Sequence, residues 1–153
     1  IIGSDILAQR DDWRVIDNPF QSGDKIVALA AIRPDVALFH APMADRFGNV
    51  FIGRNRDLLT LAHAARATLV TVEEICDGNL LDDEARSGAT VPALYVTAIA
   101  RVADGAAPLA FGDQYGDDQE MLSRYAALAQ SQAGFREFVA EWCAEQIAVA
   151  TLG

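Results

Sequence analysis

Two strongly β-forming runs, "DVALFHA" (Asp35–Ala41) and "TLVTVEEI" (Thr68–Ile75), stand on either side of one amphipathic stretch, "DLLTLAHAARA". In the middle stretch Leu58, Leu61, Ala62 and Ala65 recur at i, i+3, i+4 and i+7, which predicts a helix over 58–66 with Asp57 as its N-cap. A strand, a helix and a strand in close succession make a right-handed βαβ unit whose strands run parallel. The first run is almost uniformly apolar, the pattern of a strand covered on both faces.

Further strands are predicted at "WRVID" (Trp13–Asp17), "KIVALAAI" (Lys25–Ile32) and "VPALYVTAIARV" (Val91–Val102). "CDGNLLDDEARSGAT" reads as a surface loop, and Gly and Pro cluster in "DGAAPLAFGDQYGDD". From Gln119 onward the period is helical. Leu122, Tyr125 and Leu128 mark one helix, Gly134 a break, and Phe135, Phe138, Val139 and Trp142 a second helix, the pair packing back on the sheet. With no repeat and no linker, residues 1–153 are expected to form a single α/β domain. Its sheet is expected to be mostly parallel, flanked by helices, with a C-terminal helical pair.

The chain is 52% hydrophobic and 22% charged, without the run of about 20 apolar residues that a membrane span needs. A soluble, cytoplasmic protein is expected. A net charge of −10 speaks against nucleic acid as a partner, since phosphate neutralisation calls for clustered Lys and Arg. Cys76 and Cys143 belong to no Cys/His cluster, which indicates reduced core thiols and neither a zinc site nor a disulfide. The opening "IIGSDILAQR" has neither an initiator Met nor a signal-peptide pattern, so a truncated N-terminus is expected.

The sequence contains no GxGxxG, GxxxxGK[ST], GxSxG or HExxH. Candidate chemistry therefore falls on polar residues at strand ends, where an open α/β sheet places its site. His40 ends "VALFH"; Asp45 and Asn49 bracket the turn "ADRFGN"; Glu73 and Glu74 close "TLVTV". Adjacent residues on an extended chain point to opposite sides, so at most one of the two glutamates faces a site. His63, on the polar side of the predicted helix, is expected to be solvated, as are Asp82, Asp83 and Glu84, whose spacing suits no metal.

The order "GSD", "DNPF", "IRPDVALFHAPMADRFGNVFIG", "AARATLVTVEEI", "VPALYV" and "GAAPLAFGDQYGDD" resembles the α subunit of family I CoA-transferases, and most of all that of the glutaconate enzymes. The resemblance runs through nearly all of this chain but only the later part of such a subunit. It implies exchange of CoA between an acyl-CoA and a carboxylic acid through a glutamyl-CoA thioester. It also implies a β-subunit partner in a heterotetramer, no permanently bound cofactor, and CoA as a substrate moiety. The nucleophilic Glu of that family sits in Glu-Asn-Gly on the β subunit. Neither that tripeptide nor the family's Gly-Gly-Phe loop occurs here, so the chain alone is expected to be inactive, and its catalytic residues stay unassigned. His40, Asp45, Asn49, Glu73 and Glu74 are then expected at the substrate or the subunit interface.

Arg54 and Arg56, with Arg46 nearby, would offset the acidic balance and bind CoA. The alternatives are a hydrolase on the same scaffold, including ring opening of a CoA-linked substrate, and a non-catalytic scaffold subunit.

Overall fold

The computed structural model describes residues 2–151, with side chains through Ala144. A β-hairpin comes first, β1 (Trp13–Asp17) pairing antiparallel with β2 (Lys25–Leu29). The remaining strands form one five-stranded sheet: β3 (Val36–Asp45), β4 (Val50–Phe51), β5 (Ala67–Cys76), β6 (Thr90–Val91) and β7 (Ala98–Arg101). Their order is β6-β4-β3-β5-β7, with β3, β5 and β7 parallel and β4 antiparallel to both its neighbours. Among the described residues there are three α-helices, α1 (Asp57–Ala64), α2 (Gln119–Leu128) and α3 (Gln132–Thr151). The expected strand–helix–strand unit is present as β3, α1 and β5, with β4 inserted in the crossover.

In the middle of the sheet Phe39, Ala41, Val70 and Val72 share one face. They belong to a buried cluster with Ala44, Val50, Val91 and Ala62 of α1, which Leu58, Leu59 and Ile99 border. Small and β-branched residues let the short helix approach closely.

The opposite face differs from the expectation of a strand covered on both sides. Leu38 there is 71% exposed, and Leu69 beside it is partly exposed. Toward the C-terminal ends of the strands the same face turns polar, carrying His40 on β3 and Thr71 on β5, opposite each other in register.

Several predicted boundaries move. β2 stops at Leu29, short of the predicted Ile32, and β3 runs on to Asp45. "VPALYVTAIARV" is not one strand: Pro92 interrupts it, a short 3-10 turn follows at Ala93–Tyr95, and β6 and β7 sit on opposite edges of the sheet. Asp57 is the first residue of α1, not its cap, and no side chain caps that helix. The C-terminal pair is present, but the break falls between Leu128 and Gln132. The Ser131 hydroxyl accepts from Gly134 N–H at 3.0 Å, and Gly134 lies inside the first turn, where a Cβ would strike the Leu128 carbonyl oxygen. Among the described residues α2 and α3 pack mainly on each other, Phe138 meeting Tyr125 edge-on, with at most slight contact to the sheet. Cys143 is exposed and Cys76 partly so, both free thiols, which places neither in the core.

Candidate functional site

Glu73 sits near the C-terminal end of β5, in the middle of a hydrogen-bonded cluster with His40. Its Oε1 accepts from Tyr115 Oη at 2.6 Å, from His40 Nε2 at 2.7 Å and from Gly105 N–H at 3.2 Å. Its Oε2 accepts from Asp104 N–H at 2.7 Å. Consecutive backbone N–H groups converge on the carboxylate because Asp104 adopts φ 52°, a left-handed conformation that Asp tolerates better than most residues.

An ionised carboxylate can only accept, so His40 Nε2 carries a proton toward Glu73, while Nδ1 faces the Thr71 hydroxyl at 2.8 Å. Burial works against ionisation of Glu73, but the bonds from Tyr115, His40 and Asp104 outweigh it and hold the carboxyl below the usual glutamate range. Burial and the bond to Glu73 together push the Tyr115 phenol above its ordinary value, keeping it a donor.

Only 10% of the Glu73 side chain and 13% of the His40 side chain are exposed, and the hydrogen bonds of both run to groups inside the protein. The cluster ties a loop to the sheet. The segment 104–117 crosses the polar end of the sheet, and Glu73 fastens it through Asp104, Gly105 and Tyr115. The Tyr115 oxygen accepts from Ala106 N–H at 2.9 Å, and the Phe111 ring packs on His40 at 4.7 Å. Gly105 fits because it has no side chain: a Cβ there would lie 2.5 Å from His40 Cε1. Gly105→Ala is expected to cost about 1–3 kcal/mol by overpacking. Chemical denaturation of both proteins would show it, and an unchanged midpoint would mean the loop shifts freely.

That loop forms one wall of a cleft of about 660 Å³, within the range of small-molecule sites. Ala110–Gln114 face Ile52–Asn55 across it, with Pro42 alongside. Arg54 lines this cleft and Arg56 does not, so the two arginines expected to act together do not converge there. Arg46 lies over the Phe47 ring.

Asp45 and Asn49 are only 3% and 4% exposed. The Asp45 carboxylate takes Phe47 N–H, Asn49 N–H, Asn49 Nδ2 and Leu80 N–H, all within 2.9 Å. Asn49 Oδ1 in turn takes Ala93 N–H at 2.9 Å. Burial raises the Asp45 pKa, yet the donors lower it further, so the net displacement is downward. These two residues frame the 45–49 turn and dock the 79–93 segment on it; the structure places both in the interior. Glu74 is exposed, and His63 lies with its ring against Tyr95 at 3.8 Å. Among the described residues no group of three His, Cys, Asp or Glu is placed to hold a metal ion. No described helix is long and apolar enough to cross a membrane.

Thr71, Tyr115, Phe111 and the 104–105 amides were absent from the residues chosen by sequence. Tyr115 left a faint signal there, as an aromatic between two glycines in an otherwise polar run.

No protein-family model matches the chain. The A subunit of glutaconate CoA-transferase from Acidaminococcus fermentans is 36% identical over 137 residues, 86% of this chain and 41% of that protein. The crystal structure of glutaconate coenzyme A-transferase from the same organism superposes with a TM-score of 0.72 over 86% of this chain and 42% of that one. The chain belongs to the family of CoA-transferase A subunits. Members and neighbours of this CoA-transferase group differ in chemistry. The decarboxylase AibA/AibB is 33% identical, with a TM-score of 0.74 over 90% of this chain and 49% of that one. The cholesterol ring-cleaving hydrolase IpdA subunit of Rhodococcus jostii is 26% identical over 150 residues, 92% of this chain and 50% of that protein. The chain thus spans half the length, or less, of these relatives.

Proposed function

We propose that this chain acts within the A subunit of a CoA-transferase that moves CoA between an acyl-CoA and a carboxylic acid. The identity with the glutaconate CoA-transferase A subunit, carried across 86% of the chain, is the observation on which this rests. In such a reaction a carboxylate attacks the acyl-CoA thioester and expels CoA thiolate, leaving a mixed anhydride. The thiolate then attacks the enzyme's carbonyl, releasing the first acid and leaving an enzyme thioester for the second acid to reverse.

Glu73 is unsuited to be that carboxylate, because its oxygens already accept four hydrogen bonds. On the family resemblance, the nucleophile is assigned to a glutamate of a β-subunit partner, with this chain contributing the cleft beside it.

A second reading, hydrolysis or decarboxylation of a CoA-linked substrate, draws on the IpdA and AibA/AibB likenesses. The whole subunit, co-produced with its partner, would be given a panel of acyl-CoAs with and without an acceptor acid, and the products weighed. A new acyl-CoA that requires the acceptor is the expected result. Free CoA, a water adduct or loss of CO₂ without an acceptor would replace transfer by the second reading.

A further inference from the structure

We infer that Thr71, His40 and Glu73 form a reactive centre separate from CoA exchange, in which the Thr71 hydroxyl takes the acyl group of a short, uncharged aliphatic ester and passes it to water. The hydroxyl stands 2.8 Å from His40 Nδ1, and the other ring nitrogen, Nε2, stands 2.7 Å from Glu73 Oε1. With the proton of the neutral ring held on Nε2 by the carboxylate, Nδ1 carries a lone pair and Thr71 O–H donates to it. A hydroxyl, an imidazole and a carboxylate joined in that order let histidine act as general base for an oxygen nucleophile. Strand register builds the row: His40 on β3 lies opposite Thr71 on β5, and Glu73 follows two residues later on the same face. The four hydrogen bonds that make Glu73 a poor nucleophile suit it to the third position, where it holds the ring in one tautomer and faces the imidazolium when that forms.

Thr71 is the member of the three that reaches open space. It is half-buried and lines a depression of about 220 Å³ together with Leu38, Leu69, Ala98 and Ala100. Leu38, Leu69 and Ala98 make one row across the three parallel strands, and His40, Thr71 and Ala100 make the next row on the same face. No residue lining the depression is charged, so an acyl chain of a few carbons fits beside Thr71, whereas a carboxylate or phosphate would lose its hydration without a counter-charge. In the first step Thr71 Oγ1 bonds to the ester carbonyl carbon and its proton moves to His40 Nδ1. The bond to the alcohol oxygen then breaks, and that oxygen takes the proton. In the second step water bonds to the acyl carbon and gives a proton to Nδ1. The bond to Oγ1 breaks, the proton returns to Oγ1, and the free acid leaves.

The test uses the whole subunit with its partner and p-nitrophenyl butyrate, without CoA or an acceptor acid, so its outcome is independent of the exchange reading. Wild type is expected to release nitrophenolate faster than buffer does. Thr71→Val, which keeps the shape and removes the hydroxyl, is expected to lose roughly a hundredfold or more in kcat/KM, and Thr71→Ser to retain activity. Glu73→Gln removes the charge facing the imidazolium, so kcat is expected to fall with KM unchanged; a rise in KM alone would take Glu73 out of the centre. Release no faster than in buffer, or equal rates in wild type and Thr71→Val, would overturn the proposal. Should Thr71→Val fail to fold, peptide mass mapping of wild type quenched during turnover decides instead. A butyryl group on Thr71 upholds the centre, and its absence there overturns it.

Discussion

Replacing Asp45 by alanine is expected to destabilise the protein by about 3–5 kcal/mol, the range for breaking a buried charge-centred network. The carboxylate satisfies three backbone N–H groups and one side-chain amide in a site nearly sealed from water. Alanine would leave the Asn49 and Leu80 N–H groups buried without acceptors, at roughly 1–3 kcal/mol each. The Asn49 side chain would lose an anchor as well, loosening its hold on Ala93. Urea denaturation should show a lower midpoint with a similar slope; a loss below about 1 kcal/mol would mean that water replaces the carboxylate. The pH dependence has a defined sign. The folded pKa of Asp45 is depressed, so its contribution is full above the unfolded value. It is lost as pH falls through the folded one. Glu73 is displaced the same way, so the protein should lose stability on acidification below about pH 4.5, and Asp45→Ala should flatten that decline.

In Glu73→Gln the segment 104–117 is expected to come loose while the sheet stays folded. The amide retains one acceptor oxygen, but its NH₂ replaces the oxygen that meets Asp104 N–H, setting donor against donor. The charge that strengthens the Tyr115 and His40 bonds is gone too. A loss of about 2–4 kcal/mol follows from those terms. If it is confined to the loop, amide exchange at Ala106 should accelerate by roughly a hundredfold while Val70 and Val72 stay protected. Uniform acceleration across β3 and β5 would instead make Glu73 a support of the whole sheet and remove the idea of a local fastening. Tyr115→Phe, which deletes one of the four donors, should loosen the loop less.

How far the sequence could be read depended on whether a feature was local. β3, β5 and α1 were legible because their apolar spacing reports directly on which face meets the core. Turn chemistry in "ADRFGN" marked Asp45 and Asn49, yet their roles were not legible. A polar pair in a turn looks the same whether it faces solvent or, as here, takes N–H groups from Leu80 and donates to Asn79 in a segment 30 residues on. His40 and Glu73 were chosen as separate candidates at the ends of different strands. Only the parallel register of β3 on β5 sets His40 opposite Thr71 and brings it within 2.7 Å of Glu73.

By itself, the sequence determined the α/β class, the parallel pairing of its two longest strands and the C-terminal helical pair, because hydrophobic period is a property of neighbouring residues. Its likeness to the CoA-transferase A subunits was also readable there. Only the tertiary structure decided that Glu73 is a fastening and not a free carboxylate, that Tyr115 completes its shell, and that Arg54 alone of the two arginines lines the cleft. Each of those depends on contacts between segments distant in the chain, and a side chain's chemistry is set by the donors and charges that such contacts bring to it.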